Sequence, residues 1–422
     1  MSFNEWKEYN LDELYEFSSG LSKSRKEFGF GYPFVTFKDV FYNFFIPSEL
    51  IELANTTEKE RKRCSVKRGD VFLTRTSETI DELGKSSVAL KDYESATFNG
   101  FTKRLRPKGN VEIYPEYAGY YFRSPRFRSE INSMATMTTR ASLNNEMMAR
   151  LKIVVPNIKE QKVIAQILSD LDEKIEINNK INDNLEKMAQ AIFKQWFVDF
   201  EFPNENGKPY KSSGGEMIES ELGEIPKGWG INKLSEVADM KNGVNYGREQ
   251  DGEEVKVVNV RDFDGSLLVD DEKLDSVFLS RKQIEDYKLK KYDTIIVRSA
   301  KPGETLLVND IKIKVYSGFT IRIRVRNYDK KLYTFYCVRN SIKQLENSSN
   351  GTIFKNLNQQ LLGALNIIEP CEKVLEKYNR IIYSIIEKIY SINEESNKLM
   401  KLRDTLLPKL MSGEIRVPLE EN

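Results

Sequence analysis

The chain has no histidine among its 422 residues. That removes the commonest general base, the triads that need an imidazole, and the HExxH zinc site. Its three cysteines, Cys64, Cys337 and Cys371, show no CxxC spacing, so neither a disulfide framework nor a structural zinc site is expected. No apolar run approaches the ~18 residues of a membrane span. The opening Met1-Ser2-Phe3-Asn4-Glu5-Trp6 has no basic region and no apolar core, so it does not read as a secretory signal. A cytoplasmic protein without membrane association is the expectation. Neither sign of charge is in excess, with 65 Lys+Arg against 64 Asp+Glu. Any surface for an anion must therefore come from local segregation of charge. Nucleotide and cofactor loops are missing too. Gly84-Lys85-Ser86 resembles the end of a phosphate-binding loop, but Thr79 stands where its first glycine belongs. Glu254-Val255-Lys256, half of a metal-nuclease pair, has no evident acidic partner.

What is present is periodicity. From Asn157 to Phe197 the apolar residues Ile164, Leu168, Leu171, Ile175, Leu185, Met188 and Ile192 follow the heptad spacing of a coiled-coil seam, with no proline or glycine in the run. Pro156, Asn157 and Glu160 form a capping-box-like start, and Pro203 lies beyond the end. At ~1.5 Å per residue this helix is roughly 60 Å long. A second run, Glu372 to Leu410, places Ile382, Ile385, Ile389, Ile392, Leu399, Leu402 and Leu406 in the same register. Each lies 214 positions beyond a residue of the first seam or, for Ile392, beyond polar Asn178. The two helices are expected to pair.

The segments before the helices also repeat. Trp6, Leu11, Gly20, Asp39, Asp70 and Arg75 have twins 223 positions on, at Trp229, Leu234, Gly243, Asp262, Asp293 and Arg298. Gly100-Phe101-Thr102-Lys103-Arg104-Leu105-Arg106 matches Gly318-Phe319-Thr320-Ile321-Arg322-Ile323-Arg324 at an offset of 218, and Leu143-Asn144 matches Leu357-Asn358 at 214. The chain thus reads as domain, helix, domain, helix: 1–156, 157–200, 201–370 with an exposed connector over 201–228, and 371–415. In each domain a short helix, Leu11–Phe17 or Leu234–Met240, is expected to end at Gly20 or Gly243 in a C′ position. Strands are expected at Val71–Arg75 and Thr294–Arg298, with Asp70 and Asp293 as turn residues. Phe319–Val325 alternates, with Phe319, Ile321, Ile323 and Val325 on a buried face and Thr320, Arg322 and Arg324 on a basic one.

Basic clusters recur in both copies. They include Arg61, Lys62 and Arg63; Lys103, Arg104 and Arg106; and Arg322, Arg324 and Arg326. Two readings stand: phosphate and guanine contacts, or solvated charged faces. The loops Thr138–Asn145 and Thr352–Gln359 also admit two readings, backbone and adenine contacts or caps for the helix that follows.

In their order and duplication these features resemble the specificity subunits of type I restriction–modification systems. The text that carries the likeness is Trp229 with Leu234-Ser235-Glu236 and Lys241-Asn242-Gly243, the helix entry Pro156-Asn157-Ile158-Lys159-Glu160-Gln161, and the ending Leu407-Pro408-Lys409-Leu410-Met411-Ser412-Gly413-Glu414-Ile415. Cys371-Glu372-Lys373 departs from the Glu-Gln entry of the first helix. The resemblance implies an α+β chain of two target-recognition domains separated by two repeated helices packed as an antiparallel coiled coil. It implies a non-catalytic reader of a bipartite double-stranded DNA target that docks two methyltransferase subunits and restriction subunits. S-adenosylmethionine, ATP and Mg2+ would then belong to partner chains, with no cofactor, catalytic residue or metal here. The expected DNA-contact residues are Arg75, Lys103, Arg104, Arg106, Arg140 and Asn144 in the first domain, and Arg298, Arg322, Arg324, Lys355 and Asn358 in the second. Two other classes compete: a stand-alone DNA methyltransferase or nuclease, and a coiled-coil adaptor that binds proteins only.

Overall fold

A computed structural model describes residues 6–77, 79, 82–134, 141–247, 251–348 and 357–418. By its internal packing the chain forms two units. Unit 1 comprises Met1–Glu176 and Lys398–Asn422, and unit 2 comprises Ile177–Asn397.

Unit 1 opens with β1 (Lys7–Asn10), α1 (Leu11–Leu14) and β2 (Tyr15–Ser19), followed by β3 (Phe28–Val35), β4 (Leu53–Ala54), β5 (Val71–Thr74), β6 (Ser86–Val88), β7 (Thr97–Phe98) and β8 (Thr102–Pro107). It continues through α2 (Asn145–Arg150) and β9 (Lys152–Val155) into the long helix α3 (Ile158–Phe197). Unit 2 repeats the plan with β10 (Gly230–Lys233), α4 (Leu234–Val237), β11 (Ala238–Asn242), β12 (Glu253–Val258), β13 (Asp275–Leu279), β14 (Thr294–Val297), β15 (Thr305–Leu307), β16 (Lys314–Tyr316) and β17 (Thr320–Val325). Then come α5 (Gln359–Gly363), β18 (Asn366–Glu369) and the second long helix, α6 (Glu372–Ser412).

Three sheets of each unit correspond. Unit 1 has a four-stranded sheet in the order β2-β8-β5-β6, a three-stranded sheet β4-β3-β7 and the pair β1-β9. Unit 2 has β11-β17-β14-β15, β13-β12-β16 and β10-β18. In both, the middle strand of the small sheet takes one parallel partner, β7 or β16.

The central strands are apolar on both faces because both faces are covered. Leu73 joins the core that contains Tyr15 and the helix residues Ile164 and Leu168, whereas its neighbour Phe72 joins the core around Phe98. In unit 2, Ile296 and Ile295 divide between two cores in the same way. This overturns the expected basic face. Arg322 stands opposite Ile295 in the ladder and Arg104 opposite Phe72, so both point toward the side that the small sheet covers, and each is only 8% exposed.

Three local expectations also change. The helices from Leu11 and Leu234 stop after four residues, and Tyr15 and Ala238 begin strands, because pairing with β8 or β17 supplies the backbone bonds. Gly20 and Gly243 are therefore not helix C′ residues. They sit where two backbones nearly touch: a Cβ would lie 2.3 Å from the Asn99 oxygen or 2.1 Å from the Ser317 oxygen. Gly243→Ala is accordingly expected to cost about 1–3 kcal/mol through forced displacement; an unchanged thermal melt would show that the strand end can move freely. The connector after Phe197 is anchored as well as exposed, since Phe202 stacks on Trp229 with ring centroids 5.0 Å apart and Ile225 is buried.

The two long helices pair antiparallel, as contacts within each unit show. In unit 1, Ile164, Ala165 and Leu168 share a core with Leu407, Leu410 and Met411, and Arg403 Nη1 meets Asp172 Oδ1 at 2.7 Å. In unit 2, Ala189, Phe193 and Trp196 share a core with Tyr378, Ile382 and Ile385. Asn178 donates to Ser396 Oγ at 3.1 Å and Asn182 donates to Asn393 Oδ1 at 2.7 Å. Such polar seam contacts fix register more than they add stability. The expected seam is displaced at one repeated position. Met188 and Leu402, 214 residues apart, are 54% and 47% exposed, and the inward places are taken by Ala189 and Arg403.

Candidate nucleic-acid interface

The geometry that recurs most closely in both units is centred on Arg75 and Arg298. Each directly follows a central strand, β5 or β14. The Arg75 N–H donates to the Phe101 carbonyl at 3.0 Å, and its own carbonyl accepts from Leu143 N–H at 2.9 Å. Arg298 makes the same bonds with Phe319 and Leu357, at 3.0 and 2.9 Å. Each arginine is thus clamped between a Gly-Phe-Thr turn and the segment that leads into α2 or α5. Both side chains are half-buried, and among the described residues neither has a carboxylate within ion-pair distance.

The turns are alike as well. Gly100 N–H donates to Leu21 O and Gly318 N–H to Val244 O, both at 2.8 Å. Thr102 and Thr320 close back on the carbonyls of Asn99 and Ser317, at 2.7 and 2.8 Å. Phe101 and Phe319 stand at the tips, 60% and 63% exposed. Strand alternation placed Phe319 on the buried face. The ladder begins only at Thr320, so the phenylalanine belongs to the turn and faces outward. The repeat flagged both rings, but alternation hid that Phe319 faces outward.

The other basic residues divide by what already holds them. Lys103 Nζ donates to Ser19 Oγ at 2.9 Å and Asn145 Oδ1 at 2.7 Å, and burial, with the nearby Arg75 charge, pulls its pKa below the usual lysine range. Arg75 and Lys103 therefore form a cationic pair. In unit 2 the twin of Lys103 is the fully buried Ile321. Arg104 donates to the Ser65 carbonyl at 2.6 Å and lies over the Phe98 ring, 5.5 Å from its centroid; burial lowers its pKa. Arg104 and Arg322 each keep a buried Nε without a hydrogen bond.

Arg106 and Arg324 differ from Arg75 and Arg298 in that their guanidinium groups are paired with buried carboxylates. Arg106 holds Asp70 through Nε and Nη2 at 2.7 and 2.6 Å, and these bonds raise its pKa. Arg324 holds Asp293 at 2.9 and 2.6 Å. Asp70 and Asp293 also accept turn bonds from Lys67 and Lys290 N–H, at 2.7 and 2.8 Å, so these aspartates are structural. Asn144 and Asn358 cap α2 and α5 by accepting from Met147 and Leu361 N–H, both at 2.8 Å. Arg140 and Lys355 lie outside the described residues.

A further feature of unit 1 was marked in the sequence only by the basic cluster at Arg61. Phe28 and Tyr32 both pair with Ala54, so Gly29-Phe30-Gly31 bulges out of β3 with Phe30 exposed. Arg61 lies over the Tyr32 ring, 3.8 Å from its centroid. The corresponding strand of unit 2, β12, instead begins with Glu253 and Glu254.

Two copies of one mixed α/β domain, tied by repeated helices and each presenting a clamped arginine beside an outward ring, define a duplicated recognition protein. The sequence comparisons make the class specific. The family model of the type I restriction modification DNA specificity domain matches residues 4–187 and 226–402, and the chain belongs to that family. It is 27% identical to the type I restriction enzyme MjaIX specificity subunit of Methanocaldococcus jannaschii, across 98% of this chain and 94% of that one. To the HindI specificity subunit of Haemophilus influenzae it is 24% identical, across 98% and 100%. Its fold is similar to the crystal structure of the type I S subunit from M. genitalium, with a TM-score of 0.54, 17% identity and coverage of 97% and 96%. Membership gives this chain a recognition role in its system and not a catalytic one. Among the described residues no helix is long and apolar enough to cross a membrane.

Proposed function

We propose that each unit reads one half of a bipartite, asymmetric DNA target, and that the chain docks two methyltransferase subunits and restriction subunits that bring S-adenosylmethionine, ATP and Mg2+. The observation that carries this reading is sameness of frame with difference of surface. Arg75 and Arg298 are clamped identically, yet Lys103 in one unit is Ile321 in the other, and the strand that carries Phe30 and Tyr32 in unit 1 corresponds to one that begins with Glu253 and Glu254 in unit 2. One scaffold with two different surfaces suits two different half-sites. Helices α3 and α6 each begin in one unit and end in the other. Their length would set the spacing between half-sites. Met188 and Leu402 support docking at two like places, since each is an exposed apolar residue at the same point of the helical repeat.

The test is methylation mapping of DNA from cells carrying the complete system. A single motif of two unlike halves at fixed separation is expected. A continuous or palindromic motif would overturn the reading. Phosphate contacts also predict affinity for duplex DNA that falls steeply between low and moderate salt, which an adaptor that binds only proteins would not show.

A further inference from the structure

We propose that Phe101 and Phe319 are wedges, each entering the base stack of the half-site that its own unit reads. The inference rests on the DNA-reading function above and goes beyond it. Its first support is the pair of rings itself. A large apolar side chain is held outward at the same point of both units, on a turn fixed by the same backbone bonds to Leu21 or Val244 and to Arg75 or Arg298. A ring on a fixed turn loses little freedom on insertion. Its second support is the charge beside it. The residue bonded to each phenylalanine carbonyl is an arginine with no carboxylate at ion-pair distance among the described residues, and in unit 1 Lys103 adds a second cation. A ring next to a cation matches a base step next to its phosphate.

The third support is what varies. The surfaces around the turns differ between units, as two unlike half-sites require, but the ring does not. A phenyl ring offers no hydrogen bond with which to distinguish bases, so a ring common to both units suits a task common to both halves. In a methylated target that task is loosening the stack, because a base that must reach a methyltransferase site has to leave it.

The experiment uses the full chain assembled with its methyltransferase partners, and duplexes of the mapped target carrying 2-aminopurine at successive positions. Binding is expected to raise emission at one position in each half. Phe101→Ala should remove the rise in one half only, and Phe319→Ala in the other, each weakening binding about 10- to 100-fold. Phe101→Trp should retain the rise. Because both rings are exposed, the alanine variants should melt like the parent; a lowered melt would assign the rings to packing and overturn the proposal. So would unchanged emission and affinity in both alanine variants. A parent complex that fails to distinguish the mapped duplex from a scrambled one would instead overturn DNA reading itself. Sequence discrimination without any rise in emission would overturn only the wedge.

Discussion

Asp293→Ala is expected to cost unit 2 about 3–5 kcal/mol, the usual effect of removing one member of a buried ion pair. Asp293 is 1% exposed and takes three bonds from Arg324, while Lys290 N–H donates to it at 2.8 Å. Without the carboxylate, a largely buried guanidinium loses its counter-charge and a tight turn loses its acceptor. Asp293→Asn separates the two effects: the amide oxygen can still accept from Lys290, so its cost measures the charge alone. Asp293→Asn combined with Arg324→Met should recover part of the loss, since no charge is then left uncompensated. Amide exchange should place the weakening in β14 and β17, with β5 and β8 protected as before. Asp70→Ala should give the converse pattern. An Asp293→Ala protein as stable as the parent would mean that Arg324 finds solvent at little cost, and that this guanidinium is available for DNA after all.

That outcome matters because the buried pairs are what sequence reading could not see. The helices were legible: a period of seven sustained over forty residues is what a long two-helix seam requires and what strands or loops do not produce, and the repeat at 214 announced their pairing. The seam was legible except at Met188 and Leu402, where hydrophobicity alone took outward residues for inward ones. The duplicated domains were legible from glycines, aspartates and arginines at constant offsets. The use of those residues was not. Gly20 looked like a helix end, but the constraint comes from Asn99, 79 positions away. Arg106 looked available until the chain brought Asp70, 36 positions earlier, against it. A basic run on a strand says nothing about whether a second sheet lies over it. Arg75 and Arg298 illustrate the reverse. Their repetition could be read from the sequence, but their freedom from a carboxylate among the described residues depends on the folded surroundings.

From that freedom follows the largest expected effect on recognition. In the assembled complex, Arg298→Ala should reduce discrimination at one half-site by roughly 10- to 100-fold, the range for losing a bidentate base contact or its equivalent, and leave the other half as it was. Arg298→Lys should restore affinity more than discrimination, because an ammonium group neutralises a phosphate but cannot supply the guanidinium fork. Arg75→Ala should act on the opposite half, and more weakly. Lys103, held toward the same place by Ser19 and Asn145, keeps a cation there, whereas in unit 2 the apolar Ile321 stands at that position. The double variant Arg75→Ala, Lys103→Met should therefore match Arg298→Ala in depth, and the salt dependence of binding should fall by about one phosphate contact for each cation removed. The readout is a panel of duplexes with single substitutions in each half of the mapped target. Loss of discrimination in both halves from either single variant would mean that the two units do not read separately. Equal effects of Arg75→Ala and Arg298→Ala would remove Lys103 from the interface and leave the two surfaces more alike than their residues suggest.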